Sequence, residues 1–567
     1  MSEPLLKDIH EETQYDDNEE ESIGLPPQQR PRNIINACIY NRLVLASVIC
    51  AVVLISITVA AMATPMNMSA WKERKRNIYR PRNIIMMISD GLGPASVSFA
   101  RTYYQYVNNL TYDHPLPLDT IHVGQSRTRS SSTLVTDSAA GATAYSCGIK
   151  TYNGAVGVDP QGQPCGTLLE SAKHRHNMKT GLVATSRITH ATPASFSAHV
   201  KDRDDENAIA LQQLGENPLG RSVDLMFGGG VCQFLPKNRQ GCRSDGRDLL
   251  TEAQQKYGWK TVLHSNRTAF DQLPTSGDIL PTMALFSSEH MSYEIDRKSE
   301  EEPSLTEMSD KALKILSDAT KGSDTGFFLM IEGSRIDMAA HSNDAATHLH
   351  DILEYQNVIQ LVKQFVDEHP DTMLISTSDH ETGGLSLARQ VSPKYPKYLW
   401  YPDVLTRVKQ SSIALAEQIM RERKLDDRQY LQSILRTELG IDDFTEQEMQ
   451  TLMKQKSTKS LDQYLADMVS VRAQLGWATH GHSAVDVNLY AYGRGSEALH
   501  GNLENTYIGN FIADKLDLDL QDLTKKLNSN NPSFHLTQLD DREKLKYNEH
   551  LDHYLHHPQL LHHLSFA

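Results

Sequence analysis

The stretch "NIIMMISDG", residues 83–91, decides the fold class of this chain. It is an unbroken apolar run that ends at once in an acid and a glycine. Two later segments have the same form, "GFFLMIEGS" (326–334) and "TMLISTSDHETGG" (372–384). Continuous apolar runs of this length are typical of strands buried on both faces, as in a parallel sheet covered by helices. The sequence therefore predicts parallel strands that end in acidic residues.

Helical patterns separate these runs, most clearly over residues 345–369. Strands that alternate with helices predict the α/β class. Ligands of open α/β sheets bind at the carboxyl ends of the strands. The candidate site residues at three such ends are Asp90, Glu332, Asp379 and His380.

Charge limits the possible partners of this chain. It has 567 residues and a formal net charge of -15, which argues against a nucleic-acid partner because phosphate backbones are bound chiefly by dense Lys and Arg.

The first 29 residues carry nine acidic side chains against Lys7 alone, so residues 1–42 are predicted to be a disordered cytosolic tail. Residues 520–567 are polar and His-rich and predict a solvated or removable extension. A polar helical stretch at about 410–472 predicts an insertion above the sheet.

Residues 43–64 predict a membrane anchor. They are uncharged for 22 positions, and about 20 apolar residues suffice to cross a bilayer as a helix. A cleaved signal peptide would lie nearer the N-terminus, so an uncleaved anchor is favoured. The flanking charges disagree with a cytosolic N-terminus, because more Lys and Arg follow the span than precede it.

Cysteines and glycosylation sequons, in contrast to the charge count, indicate that the N-terminus is cytosolic and that the chain after the span lies on the other side of the membrane. Four cysteines follow the span at two close spacings, which indicates two local disulfides in an oxidising compartment. They are Cys147, Cys165, Cys232 and Cys242. Asn67, Asn109 and Asn266 begin glycosylation sequons, and we expect glycan at Asn109 or Asn266. Together these features predict a single-pass type II protein whose C-terminal portion is lumenal or extracellular.

Acids and histidines with metal-ligand spacing follow the predicted strands. Asp337 and His341 would share one helix face at i, i+4 and grip one metal, while Asp379 and His380 would serve a second. Two other motifs add further candidates, "SRITHATPASFSAHVKDRDD" (186–205) and "WATHGHSAVDVNLYAYG" (477–493). Those candidates are His190, Thr192, Arg203, His480 and His482. Any one of these residues alone would be read as a helix cap or a core side chain, but their joint occurrence favours a metal site.

A nucleophile is predicted in "LVTDSAAGATAYSCGIK", residues 134–150. Two zinc ions about 4 Å apart would stabilise the attacking and leaving oxygens of a phosphoryl transfer. Ser138, held against one zinc, would attack phosphorus without a histidine base. The small residues after it let a helix begin close beneath the nucleophile, and the N-terminus of that helix favours an anion. Asp137 would cap the helix.

These motifs together resemble the alkaline phosphatases, especially the fungal vacuolar, membrane-anchored ones. The resemblance covers about residues 80–515. The motifs that carry it are "ISDG", "TDSAAGATA", "ATPASFSAHVKDR", "IEGSRIDMAAH", "SDHETGG" and "GHSAVDVNLYAYG". It implies a three-layer α/β/α sandwich over a lumenal domain at 65–519, with a large, mostly parallel sheet. It also implies hydrolysis of phosphate monoesters at alkaline pH, homodimerisation and residence in the vacuole membrane.

The resemblance also implies residue roles, with two zinc ions and one magnesium ion per subunit. Ser138 would form a phosphoserine, and Arg203 would clamp two phosphoryl oxygens with its planar fork. The implied ligand sets are Asp337, His341 and His482 for one zinc, Asp90, Asp379 and His380 for the other, and Asp90, Thr192 and Glu332 for magnesium. We prefer His482 to His480 because its distance to the following "YG" matches the family pattern. His190 stands where the bacterial member has an aspartate, so we expect looser magnesium binding.

Two rival functions are distinguishable by experiment. A phosphodiesterase or pyrophosphatase of the same superfamily would share the two-zinc core. A catalytically silent binding ectodomain would keep the metals without turnover. Zinc-dependent release of p-nitrophenol from p-nitrophenyl phosphate separates all three.

Overall fold

The computed structural model describes residues 47, 49–55, 80–395, 398–529 and 536. The chain divides into two compact units, residues 1–77 and 78–567. Within the first unit, residues 49–55 are helical. Among the described residues, no helix combines the length and the apolar character needed to cross a bilayer. The predicted anchor at 43–64 lies only partly within the described residues, and most of the predicted tail and C-terminal extension lies outside them.

A ten-stranded sheet forms the centre of the second unit. The strands are β1 (Asn83–Ile88), β2 (His122–Arg127), β3 (Lys179–Arg187), β4 (Leu225–Gly229), β5 (Thr261–His264), β6 (Thr282–Leu285), β7 (Phe327–Glu332), β8 (Thr372–Thr377), β9 (Glu381–Thr382), β10 (His482–Ser483), β11 (Val487–Gly493) and β12 (Gly501–Glu504). The order across the sheet is β12-β2-β11-β8-β1-β7-β3-β4-β6-β5. Within the described chain, β11 is antiparallel to both of its neighbours and the other pairings of this sheet are parallel. A separate two-stranded ribbon pairs β9 with β10.

Helices surround this sheet. They are α1 (Pro94–Val107), α2 (Ser138–Cys147), α3 (Leu168–His176), α4 (Ala191–Ser195), α5 (Glu206–Leu214), α6 (Leu249–Gln255), α7 (Arg267–Asp271), α8 (Leu305–Ala319), α9 (Arg335–His341), α10 (Ala345–Glu368), α11 (Pro402–Leu405), α12 (Ser412–Arg421), α13 (Arg428–Thr437), α14 (Glu446–Leu452), α15 (Thr458–Ala473), α16 (Asn505–Leu516) and α17 (Leu520–Leu527). Short 3₁₀ turns occur at Leu118–Ile121, Val231–Phe234, Lys237–Arg239, Gly277–Ile279 and Ser496–Ala498.

Both faces of the sheet are buried, as the apolar runs predict. Every residue of β1, β7 and β8 is buried. Along β1, Ile85 and Met87 join a core with α8 and α10, whereas Ile84, Met86 and Ile88 join a second core with α2, α3 and α16. Successive strand side chains point to opposite faces, so one continuous apolar run serves both cores. The predicted α/β class with a large, mostly parallel sheet is confirmed.

Four helices, α12 to α15, lie between Ser412 and Ala473, where the sequence predicts a helical insertion. Their apolar faces belong to the same core as α8 and α10. Asp462 of α15 accepts hydrogen bonds from Ser412 at the start of α12 and from Ser342 just after α9, both at 2.6 Å. These helices are therefore tied to the short helix that carries two predicted metal ligands.

Two local disulfides are present, Cys147–Cys165 and Cys232–Cys242, and that prediction is confirmed. Asn109 and Asn266 are both exposed. Asn266 caps α7, with its side-chain oxygen accepting a hydrogen bond from the Ala269 amide at 2.9 Å.

Candidate active site

The carboxyl ends of three adjacent central strands bring the predicted acids together. Ile88, the last residue of β1, is level with Glu332 of β7 and with Thr377 of β8. Asp90 follows β1 by two residues, and Asp379 follows β8 by two. Asp90, Glu332 and Asp379 are all fully buried. Parallel pairing thus gathers three carboxylates from distant parts of the sequence at one edge of the sheet.

One cluster of candidate metal ligands combines α9 with β10. His341 Nε2 lies 3.3 Å from Asp337 Oδ2, as the i, i+4 spacing on α9 predicts. His482 Nε2 lies 3.2 Å from His341 Nε2 and 3.7 Å from Asp337 Oδ1. The structure therefore brings together the three side chains expected to hold one zinc.

Hydrogen bonds fix the tautomers of these two histidines. His341 Nδ1 lies 2.5 Å from the His480 carbonyl oxygen, and His482 Nδ1 lies 2.8 Å from that of Thr136. A carbonyl only accepts, so each Nδ1 carries a proton, and the two Nε2 atoms face each other and the Asp337 carboxylate. A metal-ligating histidine commonly donates its other ring N–H to a carbonyl, so this arrangement leaves Nε2 of each ring as the ligand atom for a shared cation. The His480 ring is exposed, and its Nδ1 lies 2.9 Å from the His341 carbonyl oxygen, so His480 contributes through its backbone.

A second cluster surrounds His380. Its Nε2 lies 3.3 Å from Asp379 Oδ2 and 3.5 Å from Asp90 Oδ1. Its ring stacks on that of His482 with centroids 3.5 Å apart, which joins the two clusters. The Thr382 hydroxyl joins them again, because it donates to Asp337 Oδ1 at 2.5 Å and lies 3.2 Å from His380 Nδ1. Sequence reasoning missed Thr382, whose only signal is its position two residues after His380.

Ser138 lies at the second cluster. Its Oγ is 3.1 Å from His380 Nε2 and 3.5 Å from Asp90 Oδ1. Ser138 is the first residue of α2, and Asp137 caps that helix by accepting from the Ala140 amide at 3.0 Å. All ten residues of α2 are buried. A Cβ on Gly141 would lie 3.0 Å from the Cβ of Asp379, so small residues let the helix approach the candidate metal ligands closely.

Arg203 lies beside the start of α2. Its Nη1 donates to Asp137 Oδ2 at 3.0 Å, and its Nη2 lies 3.1 Å from His190 Nε2. Asp137 Oδ2 also accepts from the Gly154 amide at 2.9 Å. One carboxylate therefore caps the nucleophile helix and orients the guanidinium. A buried guanidinium held in this way is suited to bind a phosphoryl group.

Three oxygen atoms mark a third cluster: Asp90 Oδ2, Glu332 Oε1 and Thr192 Oγ1. Each is buried and has no hydrogen-bond partner within the described part of the chain. Glu332 uses its other oxygen to accept from Ser186 Oγ at 3.3 Å. The Asp90 and Thr192 side chains both interact with Glu332, which places the three oxygens together. Buried polar atoms are normally satisfied, so this set of oxygens fits a hard cation such as magnesium.

The carboxylates of this edge disfavour one another's charge. Burial raises the pKa of Asp379 to about 7, assisted by repulsion from Asp337 and Glu332. Burial likewise raises the pKa of Glu332 to about 7. The pKa of Asp90 is raised well above its usual range by burial and then by the charge of Asp379. Divalent cations would compensate this charge, and the donors suit zinc at the two histidine-containing clusters and magnesium at the third.

Comparisons with known proteins agree with this arrangement. Residues 81–518 match the family model described as "Alkaline phosphatase". The chain is 49% identical to an alkaline phosphatase of Schizosaccharomyces pombe over 79% of this chain and 84% of that protein. It is 42% identical to the repressible alkaline phosphatase of Saccharomyces cerevisiae over 91% and 94%. The structure of Thermus thermophilus alkaline phosphatase matches at 28% identity with a TM-score of 0.66, covering 78% of this chain and 92% of that one. The chain belongs to the alkaline phosphatase family of enzymes.

Proposed function

We propose that this enzyme hydrolyses phosphate monoesters through a phosphoserine formed on Ser138, with two zinc ions and one magnesium ion per chain. The position of Ser138 Oγ carries the proposal. It lies 3.1 Å from His380 Nε2 at the buried N-terminus of α2, between a metal-ligand cluster and the helix end. His380 would serve as a zinc ligand and not as a general base, so the serine hydroxyl would gain its reactivity from the metal site.

The two histidine-containing clusters would hold the zinc ions. Asp337, His341 and His482 form one ligand set, and Asp90, Asp379 and His380 form the other. When bound, the zinc ions supply Lewis-acid stabilisation of charge on the attacking and leaving oxygens.

The chain's own groups perform the remaining steps. Arg203, oriented by Asp137, binds two phosphoryl oxygens and aligns phosphorus with Ser138. Amides at the start of α2 stabilise negative charge on the transferred group. Ser138 gives up its hydroxyl proton and Oγ bonds to phosphorus as the bond from phosphorus to the ester oxygen breaks, and that oxygen leaves as an alcohol after taking up a proton. Water then attacks phosphorus, the bond to Oγ breaks, and inorganic phosphate leaves as Ser138 regains its proton.

Magnesium would bind through Asp90, Thr192 and Glu332. His190 replaces a carboxylate at the edge of this site and contacts Arg203 instead. An imidazole brings no negative charge and no oxygen, whereas magnesium prefers oxygen ligands and keeps several waters. We therefore expect magnesium to bind weakly and to activate enzyme from which it has been removed.

Substitution of the nucleophile tests the mechanism. Ser138→Ala should lower kcat by about 10³-fold or more while zinc remains bound, because the ligands come from other elements. Ser146→Ala is the matched control, since Ser146 is a buried serine of the same helix whose hydroxyl donates to the Ser195 carbonyl. Acid quench with ³²P-labelled monoester should trap phosphoserine in wild type and Ser146→Ala alone. Undiminished phosphoserine in Ser138→Ala would refute the assignment, and faster cleavage of bis(p-nitrophenyl) phosphate than of the monoester would favour the diesterase.

We also propose that the enzyme is a type II protein of the vacuole membrane, with a lumenal catalytic domain that forms homodimers. The two disulfides and the exposed sequons at Asn109 and Asn266 support the orientation. Glycosidase should shift the mobility of the full-length protein on a gel. Digestion of the catalytic domain by protease added to the cytosolic side of intact vacuoles would refute this topology. Sedimentation of detergent-solubilised protein would test the dimer.

A further inference from the structure

We propose that Glu381 is a positioning residue that holds the zinc ligand His482 in place. This inference rests on the proposed zinc site. It concerns the ribbon of β9 and β10, in which Thr382 pairs with His482 and Glu381 pairs with Ser483. The ribbon thus joins the chain just after His380 to the segment that brings His482 to the site.

The Glu381 carboxylate makes contacts on both sides of the ribbon. Its Oε1 accepts from the amides of Gly384 at 2.8 Å and Leu385 at 3.3 Å. Its Oε2 accepts from the hydroxyl of Ser483, the residue after His482. One buried carboxylate therefore fixes the turn that follows β9 and the backbone of the histidine-bearing strand together.

The side chain of Glu381 has little freedom to move. It is 3% exposed. A Cβ on Gly93 would lie 2.1 Å from Glu381 Cγ, so the backbone preceding α1 packs directly on this side chain. Any larger residue at position 93 would collide with the Glu381 side chain. The carboxylate is thereby kept in its position between the turn and Ser483.

His482 depends on such support more than its fellow ligands do. Asp337 and His341 share α9, whose backbone sets their spacing. His482 arrives on a strand of two residues, and a two-stranded ribbon this short is marginal by itself. Groups that orient metal ligands typically contribute a factor of about 10 to 100 in metal affinity. Loss of the Glu381 carboxylate should therefore weaken the zinc held by His482. It should spare the zinc held by Asp90, Asp379 and His380, because the His380 backbone is anchored separately by the Ser378 hydroxyl, which donates to the His380 carbonyl at 2.6 Å.

Zinc release from the full-length enzyme into a chromogenic chelator tests this inference. Wild type should release two zinc ions in resolvable phases. Glu381→Ala should accelerate one phase by about 10-fold and leave the other unchanged, and Ser483→Ala should accelerate the same phase less. Glu354→Ala is the control, because the Glu354 carboxylate also accepts from a backbone amide, that of Thr306 at 2.8 Å, but belongs to α10. The control should leave both phases unchanged.

Each result bears on a separate claim. Wild type without bound zinc would refute the proposed function itself. Wild type with two zinc ions and a Glu381→Ala variant that releases both at wild-type rates would refute the role of Glu381 alone. Equal acceleration of both phases would assign Glu381 a general structural role and also overturn the proposal. Should Glu381→Ala fail to fold, the selective acceleration expected of Ser483→Ala decides the question.

Discussion

The enzyme buries carboxylates in two regions, around α3 and at the carboxyl edge of the sheet, and the neighbours of these carboxylates differ between the two. Around α3, each buried carboxylate has a cation within the chain: Glu170 accepts from His199 at 2.9 Å, and Asp224 lies 2.7 Å from Lys173. At the carboxyl edge of the sheet, buried carboxylates lie near one another, and oxygens of Asp90, Glu332 and Asp379 have no hydrogen-bond partner within the described residues.

The pKa values of Asp224 and Asp379 shift in opposite directions. The cation of Lys173 holds the pKa of Asp224 below its usual range despite burial, which acts in the opposite direction. Burial, together with the charges of Asp337 and Glu332, raises the pKa of Asp379 to about 7. A buried charge that the chain compensates is structural, whereas a set that it leaves uncompensated indicates ions from outside. The oxygens of Asp90, Glu332 and Asp379 are therefore where the proposed metal ions are expected to bind.

Removal of the metal ions with a chelator should have a larger effect on the enzyme than any single substitution. Removal of zinc should abolish phosphatase activity, a loss of about 10³-fold or more. The raised folded-state pKa values of Asp379 and Glu332 mean that these two carboxyls hold protons in the metal-free folded protein at pH values where they are ionised in the unfolded chain. Their contribution to the free energy of unfolding should thus fall as the pH rises from about 4 through about 7. Denaturant titrations of chelated wild type and of chelated Asp379→Asn/Glu332→Gln would isolate it, and a stability difference, wild type minus variant, that rises over that range would contradict it.

Glu170→Gln would remove the charged partner of His199 in the region around α3. Both ring nitrogens of His199 face acceptors, Glu170 Oε1 and the Gly157 carbonyl, so the imidazole is doubly protonated. Loss of one partner of a buried pair costs about 3 kcal/mol or more of stability. Activity per folded, zinc-loaded molecule should remain.

The pH dependence of that loss has a definite sign. Burial lowers the pKa of His199, but the charge of Glu170 and its hydrogen bond outweigh burial and raise it. The stabilisation is present at the usual imidazole pKa of 6.5 and is lost as the pH rises through the raised value. The stability difference between wild type and Glu170→Gln should therefore shrink toward alkaline pH. A difference that grows there would contradict the ion pair.

Arg203→Ala removes a cation that the chain itself supplies near the carboxylates at the carboxyl edge of the sheet. Because Arg203 is not one of the proposed zinc ligands and hydrogen-bonds to Asp137 and His190, zinc content should not change. Loss of a bidentate charged contact should weaken inhibition by inorganic phosphate by about 10- to 100-fold. An unchanged inhibition constant would mean that another group binds the phosphoryl oxygens.

His190→Asp should have the smallest effect, because it adds one carboxylate beside a region already rich in them. It should tighten magnesium binding and reduce by a few-fold the activation seen when magnesium is added to dialysed enzyme. Magnesium titrations of wild type and variant provide the measurement. Superimposable activation curves would remove His190 from the magnesium site.

The two regions also differ in how well the sequence predicts them. At the carboxyl edge of the sheet, strand ends and the helical spacing of Asp337 and His341 predict candidate metal ligands from local patterns, whereas the assignment of complete ligand sets rests on the resemblance to the alkaline phosphatases. The Glu170–His199 pair joins residues 29 apart, and Asp137 meets Arg203 across 66. No period or motif encodes such contacts, because they depend on how separate elements pack. The tautomers of His341 and His482 are equally hidden, since backbone carbonyls of distant residues set them.

The metal content of the purified enzyme, measured by elemental analysis alongside activity, tests the central claim most directly. We predict two zinc ions per chain, with magnesium bound more weakly, and recovery of phosphatase activity by chelated enzyme as the second zinc equivalent binds. Full activity in enzyme that carries no bound metal would contradict the claim that ions compensate the buried carboxylates of Asp90, Glu332 and Asp379.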